Sequence, residues 1–177
     1  MEDAVDDPRS GQRWVFRPRA GDLLKADLYV SPGGYVRSHV HPEQEETFTG
    51  VSGTFVLEVA GERGIGPGDT VVIPPRTPHG FADAADEANV VVTVQPALEL
   101  ESYFRAFLGL SRDGRIRMPV RGLPGPLLLV ALVMDRYRRE IAAPRLPLWL
   151  QRLLWRALAL LGRVRGLRAS FPEYGAP

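Results

Sequence analysis

The chain has 177 residues, 45% of them hydrophobic, which suffices for one ordinary domain and an appendage but not for two independent enzymatic domains. It contains no cysteine, and this excludes disulfides, thiolate metal sites and a cysteine nucleophile. The net charge of +1 hides a polarity: nine basic and seventeen acidic residues precede Ser111, about −8, whereas thirteen arginines and only Asp113, Asp135, Glu140 and Glu173 follow it, about +9. Such asymmetry implies docking of one part on the other, contact with a partner chain, or attraction to an anionic surface.

The N-terminal MEDAVDDPRS is acidic and lacks a basic stretch followed by an apolar run, so it does not read as a signal peptide and the default expectation is a cytoplasmic protein. From Arg13 to Gln95 short runs rich in valine, phenylalanine and threonine alternate with turn residues, the pattern of antiparallel strands. Eight strands are expected, at 13–18, 23–31, 35–40, 46–51, 54–61, 70–74, 79–83 and 89–95, with glycine-rich corners between them such as Gly61-Glu62-Arg63-Gly64. About eight strands favour a closed barrel or jelly roll, which protects its edges.

After Pro96 the periodicity changes. Leu98, Tyr103, Phe104, Phe107 and Leu108 recur at helical spacing, predicting a helix that caps the barrel. Residues 111–126 combine arginines with glycine and proline and read as a linker. Pro126 suits the first turn of a second helix through LLLVALVM, buried at its start and solvated at its end. A third, amphipathic helix over 147–166 places Leu150, Leu154, Ala157, Leu158 and Leu161 on one stripe and Arg152, Arg156 and Arg163 on another, with Gly166 as terminator. The division is thus a barrel over 1–97 and a helical extension over 98–177.

Two of the three histidines fall in HVHPEQEETF. On a strand, His39 and His41 project from the same face, about 7 Å apart, and two buried imidazoles without partners are expensive unless they share a cation. A divalent ion also favours a carboxylate, and Glu43, Glu45 and Glu46 follow. Glu46 inward turns Phe48 inward as well, whereas Glu45 inward would expose that ring; the parity change after His41 needs a bulge or turn at Pro42.

With its glycines, GGYVRSHVHPEQEETFTGVSG resembles the first motif of the cupin superfamily, matched at Gly33, His39, His41, Glu46 and Gly53. The second motif is similar at Gly68, Pro74 and His79, and departs where Arg76 replaces a usual glycine and Asp83 a usual asparagine. The resemblance spans roughly 20–95 and implies a small β-barrel that holds one divalent metal through His39, His41, Glu46 and His79. Nitrogen and oxygen donors without sulfur suit Fe, Mn, Ni, Zn or Cu, and an octahedral ion would keep two positions for other ligands.

Arg37 and Tyr35 share the parity of His39, which makes Arg37 the candidate catalytic residue for orienting an anionic or carbonyl group. Thr93 and Gln95 could line the pocket or form a polar outer face. Every histidine is committed to the cluster, which disfavours a serine–histidine–aspartate triad, and no phosphate loop or nucleic-acid-binding motif is present. The expected protein is therefore a metal-dependent enzyme, dioxygenase-like, acting on a small and largely apolar organic molecule. An isomerase or cyclase, or a non-catalytic binding module, is the alternative. A homodimer is expected from the resemblance, as is a lid made by the helix after Leu98 or the segment after Ser111. The stripe over 147–166 reads either as packing on the barrel or a twin subunit, or as contact with a membrane surface through Trp149, Trp155 and the arginines.

Overall fold

Alternation of buried and exposed positions builds ten strands in the computed structural model, which describes residues 3–59, 61–82, 86–116 and 124–176. They are β1 (Ala4–Asp7), β2 (Gln12–Phe16), β3 (Leu24–Val30), β4 (Val36–His39), β5 (Glu45–Ser52), β6 (Phe55–Val59), β7 (Glu62–Ile65), β8 (Thr70–Ile73), β9 (His79–Ala82) and β10 (Ala88–Gln95). Eight correspond to the expected strands. The other two, β1 and β7, fall where the sequence reads as an acidic leader and a glycine-rich corner, and both are four-residue ribbons held by antiparallel pairing with β2 and β6.

The strands form two antiparallel sheets, β1-β2-β3-β10-β5-β8 and β4-β9-β6-β7. In β3 and β10 every second residue is buried, placing Leu28, Val30, Val90 and Val92 between the sheets with Phe48, Phe55 and Leu57. Full burial of each such side chain contributes about 1.5–3 kcal/mol, so this interior accounts for most of the drive to close the sandwich. Thr93 and Gln95 lie on the opposite, outer face of β10 and do not line the interior.

Close approach is met by glycine at two places. A Cβ on Gly80 would stand 2.6 Å from the carbonyl oxygen of Val36, where β4 and β9 change register, and one on Gly50 would meet the Gly66 carbonyl at 2.0 Å. Only hydrogen fits at either point.

Three helices follow: α1 (Leu100–Arg112), α2 (Pro124–Arg136) and α3 (Leu148–Val164), then a single 3-10 turn, Pro172–Tyr174. The molecule is therefore a jelly roll plus helices, mixed rather than strictly all-β. Helix α1 docks on the sheet through Phe104, stacked on Trp14 with ring centres 4.3 Å apart. Helix α2 buries Leu128, Val130, Ala131, Leu132 and Val133, an all-round apolar segment sandwiched between the other layers. It starts at Pro124, two residues before the expected Pro126, while α1 runs to Arg112, inside the expected linker, whose residues 117–123 lie outside the described ones.

Part of the charge polarity is satisfied by docking. Arg139 pairs with Glu43 at 2.6 Å, Arg136 with Glu99 at 2.7 Å and Arg112 with Asp6 at 3.9 Å, each joining the basic half to the acidic one. Helix α3 behaves differently from its expected stripe. Gln151, Ala159 and Gly162 are its buried positions, while Leu154 and Leu161 are 48% and 44% exposed. Gly166, at φ +79, ends the helix, and the next amide reaches back from Leu167 to the Gly162 carbonyl.

Candidate metal centre

Strands β4 and β9 pair so that His39 stands directly opposite His79. His41 lies two residues beyond His39, past the end of β4, where Val40 forms an isolated bridge with Ala142 of the helical extension. Glu46 enters from the other sheet, on β5 between β8 and β10. The alternation of β5 buries Glu46, Phe48 and Gly50 and leaves Glu45 exposed, while Glu43 faces Arg139 at the surface. Four donors from two sheets thus converge.

Their reactive atoms lie within 4.8 Å of one another. The Nε2 atoms of His39 and His41 are 3.3 Å apart, and Oε2 of Glu46 is 3.3 Å from Nε2 of His41 and 2.8 Å from Nε2 of His79. His41, Glu46 and His79 are almost completely buried, and His39 faces the cavity described below.

The outer nitrogens explain this convergence. Nδ1 of His39 donates to the Arg37 carbonyl at 3.0 Å, that of His79 to the Thr77 carbonyl at 2.9 Å, and that of His41 to the Glu140 carbonyl at 2.5 Å. A proton fixed on Nδ1 leaves Nε2 as the lone-pair nitrogen, so all three rings present acceptors to one point beside a carboxylate oxygen. Nothing among the described residues fills that point: Oε2 of Glu46 and Nε2 of His79 are buried without a hydrogen-bond partner. Orphaned acceptors of this kind are costly, and a cation satisfies them together. The residues fit a divalent ion held by three imidazole nitrogens and one carboxylate oxygen.

Electrostatics run the same way. Burial would raise the Glu46 carboxyl, but the neighbouring His41 and His79 rings hold it well below the usual carboxylate range. Burial, with the His79 and His41 rings, pushes His39 well below its ordinary value. Burial also acts to lower His41, but the Glu46 carboxylate and the Glu140 carbonyl outweigh it and raise this ring. The pocket thus favours the anionic form of Glu46 beside the three rings.

A cavity of about 470 Å³ opens from His39, Glu46 and His79. Phe48 and Phe81 form its barrel wall; Phe104 and Phe107 of α1, Met134 of α2 and Trp155 of α3 form its helical wall. Of the two elements expected as a lid, the helix after Leu98 does line the cavity, joined by α2 and α3, which were not expected there, while residues 117–123 of the segment after Ser111 lie outside the described ones. Arg37 sits at the rim with its side chain exposed and its guanidinium 5.8 Å from the Tyr35 ring centre, and its backbone carbonyl is the group that touches a histidine. Arg76 adopts φ +66, the left-handed conformation a glycine would take, so the departure from the family motif leaves the turn intact. Asp83 lies outside the described residues. Sequence reasoning does not reach the Glu140 carbonyl, a backbone group without a residue signature, nor the helical wall beyond the apolar stripe of α1.

Residues 27–95 match the sequence model of the family described as "Cupin domain". Among solved structures, the chain is similar to KdgF from a Halomonas species (25% identity, 52% of this chain and 84% of that one, TM-score 0.48). It is also similar to an RmlC-like cupin from Shewanella frigidimarina (22% identity, 54% and 85%, TM-score 0.49) and to ectoine synthase from P. lautus (14% identity, 56% and 75%, TM-score 0.48). No curated protein matches the sequence.

Proposed function

We propose that the region matching the cupin domain model, residues 27–95, works as a metal-dependent enzyme on a small, largely apolar organic molecule, with O₂-dependent oxidation as its reaction. The observation that carries this reading is the convergence of three Nε2 lone pairs and one carboxylate at the base of an apolar cavity, with every Nδ1 already occupied. A divalent ion in this donor set supplies Lewis acidity and, where the metal is redox-active, one-electron chemistry with O₂.

The chain's own groups do the rest. Glu46 contributes negative charge, and Phe48, Phe81, Phe104 and Phe107 exclude water and hold an apolar skeleton against the donors. Arg37 at the rim can pair with an anionic or carbonyl group on that skeleton. We favour oxidation over isomerisation or cyclisation because, apart from the donor residues themselves and Tyr35 at the exposed rim, few proton-transfer groups line the cavity among the described residues. Among the described lining residues the carboxylates are Glu46 and Asp7, and Asp7 already accepts from the Ser10 hydroxyl and the Arg9 amide. Tyr103 is buried, and burial pushes its phenol above the ordinary range, which disfavours the phenolate a base would need.

The test is elemental analysis of untagged protein purified without chelators or added metal, beside His41→Ala and Glu46→Ala. Oxygen uptake is then followed with a panel of small aromatic and aliphatic alcohols, phenols and ketones. Stoichiometric metal lost in both variants and metal-dependent O₂ consumption are expected. A metal-free wild type overturns the site, and tight ligand binding without turnover reassigns the domain as a binding module.

A further inference from the structure

Helix α3 is apolar on two opposite sides. One side packs inward through Gln151, Ala159 and Gly162 and turns Trp155 toward the cavity. The other has no cover among the described residues. Trp149 is 69% exposed, Leu153 60%, Leu160 53% and Val164 84%, and Leu146, Leu154 and Leu161 widen the patch. At roughly 100° per residue these four lie within about 60° of one another on the helix surface, a single outward stripe. Monomeric proteins rarely leave such a row of large apolar side chains in water without a use for it.

The charge around the stripe says what kind of surface covers it. Between positions 141 and 172 the chain has six arginines and no acidic residue. Arg152, Arg156 and Arg163 lie along one edge of the stripe, Arg165 along the other, and Arg145 and Arg168 just beyond the two ends of the helix. Arg163 is paired with Asp135 at 2.8 Å, whereas Arg145, Arg156, Arg165 and Arg168 make no ion pair among the described residues. A second copy on this face would be isologous, bringing arginines against arginines with no acid in the patch to receive them. An anionic bilayer answers both features, with acyl boundary for the aromatic and aliphatic row and phosphates for the flanking guanidiniums. Seventeen residues make a helix of about 25 Å, and no helix among the described residues is long and apolar enough to cross a membrane. An orientation in the plane of the interface follows.

We propose that α3 seats this protein on anionic lipid bilayers, with Trp149, Leu153, Leu160 and Val164 inserted at the headgroup boundary and the arginines engaging lipid phosphates.

The test is co-sedimentation of the full chain with large vesicles of phosphatidylcholine containing phosphatidylglycerol, against pure phosphatidylcholine, at low and high salt. Binding to the anionic vesicles only is expected, with weakening at high salt and a tryptophan emission blue shift that Trp149→Ala removes. Leu153→Glu with Val164→Glu should weaken partition by roughly tenfold or more, as should Arg152→Glu with Arg156→Glu at low salt. Val72→Glu, at another exposed apolar position, on the barrel, should leave it unchanged. Circular dichroism and metal content verify that each variant is folded. Absence of binding to anionic vesicles, or binding indifferent to the Leu153 and Val164 changes, overturns the proposal. So does a lipid-free dimer that those two changes dissociate, because the face then belongs to a second copy.

Discussion

Nδ1 of His41 lies 2.5 Å from the carbonyl oxygen of Glu140, 99 positions later in the chain. The contact joins a barrel donor to the turn after α2. It is reinforced next door, where Val40 and Ala142 exchange two backbone hydrogen bonds of 3.0 Å each. The helical extension is therefore part of what orients the candidate metal site.

Ala142→Pro removes the amide of that exchange and displaces the Glu140 carbonyl. Metal affinity is expected to fall about ten- to hundredfold, the usual effect of losing a group that aims a ligand, while strand circular dichroism persists. Unchanged affinity in a metal titration would mean that the extension does not set the ring.

Metal binding should raise thermal stability. At a free metal concentration a hundred times Kd the folded state gains about 2.7 kcal/mol, which for a chain of this size raises Tm by roughly 5–10 °C. Scanning calorimetry of Glu46→Ala and His41→Ala should show no such rise, since each removes one of four converging donors.

Proton linkage follows from the opposed shifts of His39 and His41. Because His41 is raised, its protonated form competes with metal at Nε2 as pH falls through the folded value, so metal uptake there releases protons and its enthalpy varies with buffer ionisation heat. In the metal-free protein a raised histidine contributes stability that is present below its ordinary 6.5 and lost as pH rises through the folded value. His39, pushed down, contributes with the opposite sign, its share being lost as pH falls below 6.5. The cost of His41→Ala without metal should accordingly be larger in mildly acidic than in alkaline buffer. A cost independent of pH in chemical unfolding would contradict these signs.

Arg76→Gly should stabilise the fold by about 1 kcal/mol, because a side chain at φ +66 is strained and glycine is not. The Arg76 amide donates to the His41 carbonyl at 2.8 Å, a backbone contact that glycine retains, and the change removes a long side-chain contact to the Pro42 carbonyl, 3.4 Å, and a positive charge near Glu43. A lower Tm for the variant would show that these losses outweigh the backbone strain.

The strands were legible in the sequence because half-buried sheets alternate, and the choice of Glu46 over Glu45 was legible because Phe48 shares its parity. The strands β1 and β7 were not, since AVDD and ERGI carry charged residues and owe their extension to neighbouring backbones rather than to their own side chains. In α3 the apolar positions nearly encircle the helix, so spacing alone could not say which side faces inward; Leu154 and Leu161 fell on the outer one. The carbonyls of Arg37, Thr77 and Glu140 were invisible for a different reason. Every residue has one, and only the folded path places it.

Two imidazoles are braced by the peptide oxygen two positions before them, at Arg37 for His39 and at Thr77 for His79. Main-chain atoms survive exchange of the side chains that ride on them. A change of side chain at position 37 can consequently retune what the mouth of the cavity admits, while the carbonyls of 37 and 77 keep the ion-gripping cage behind it the same.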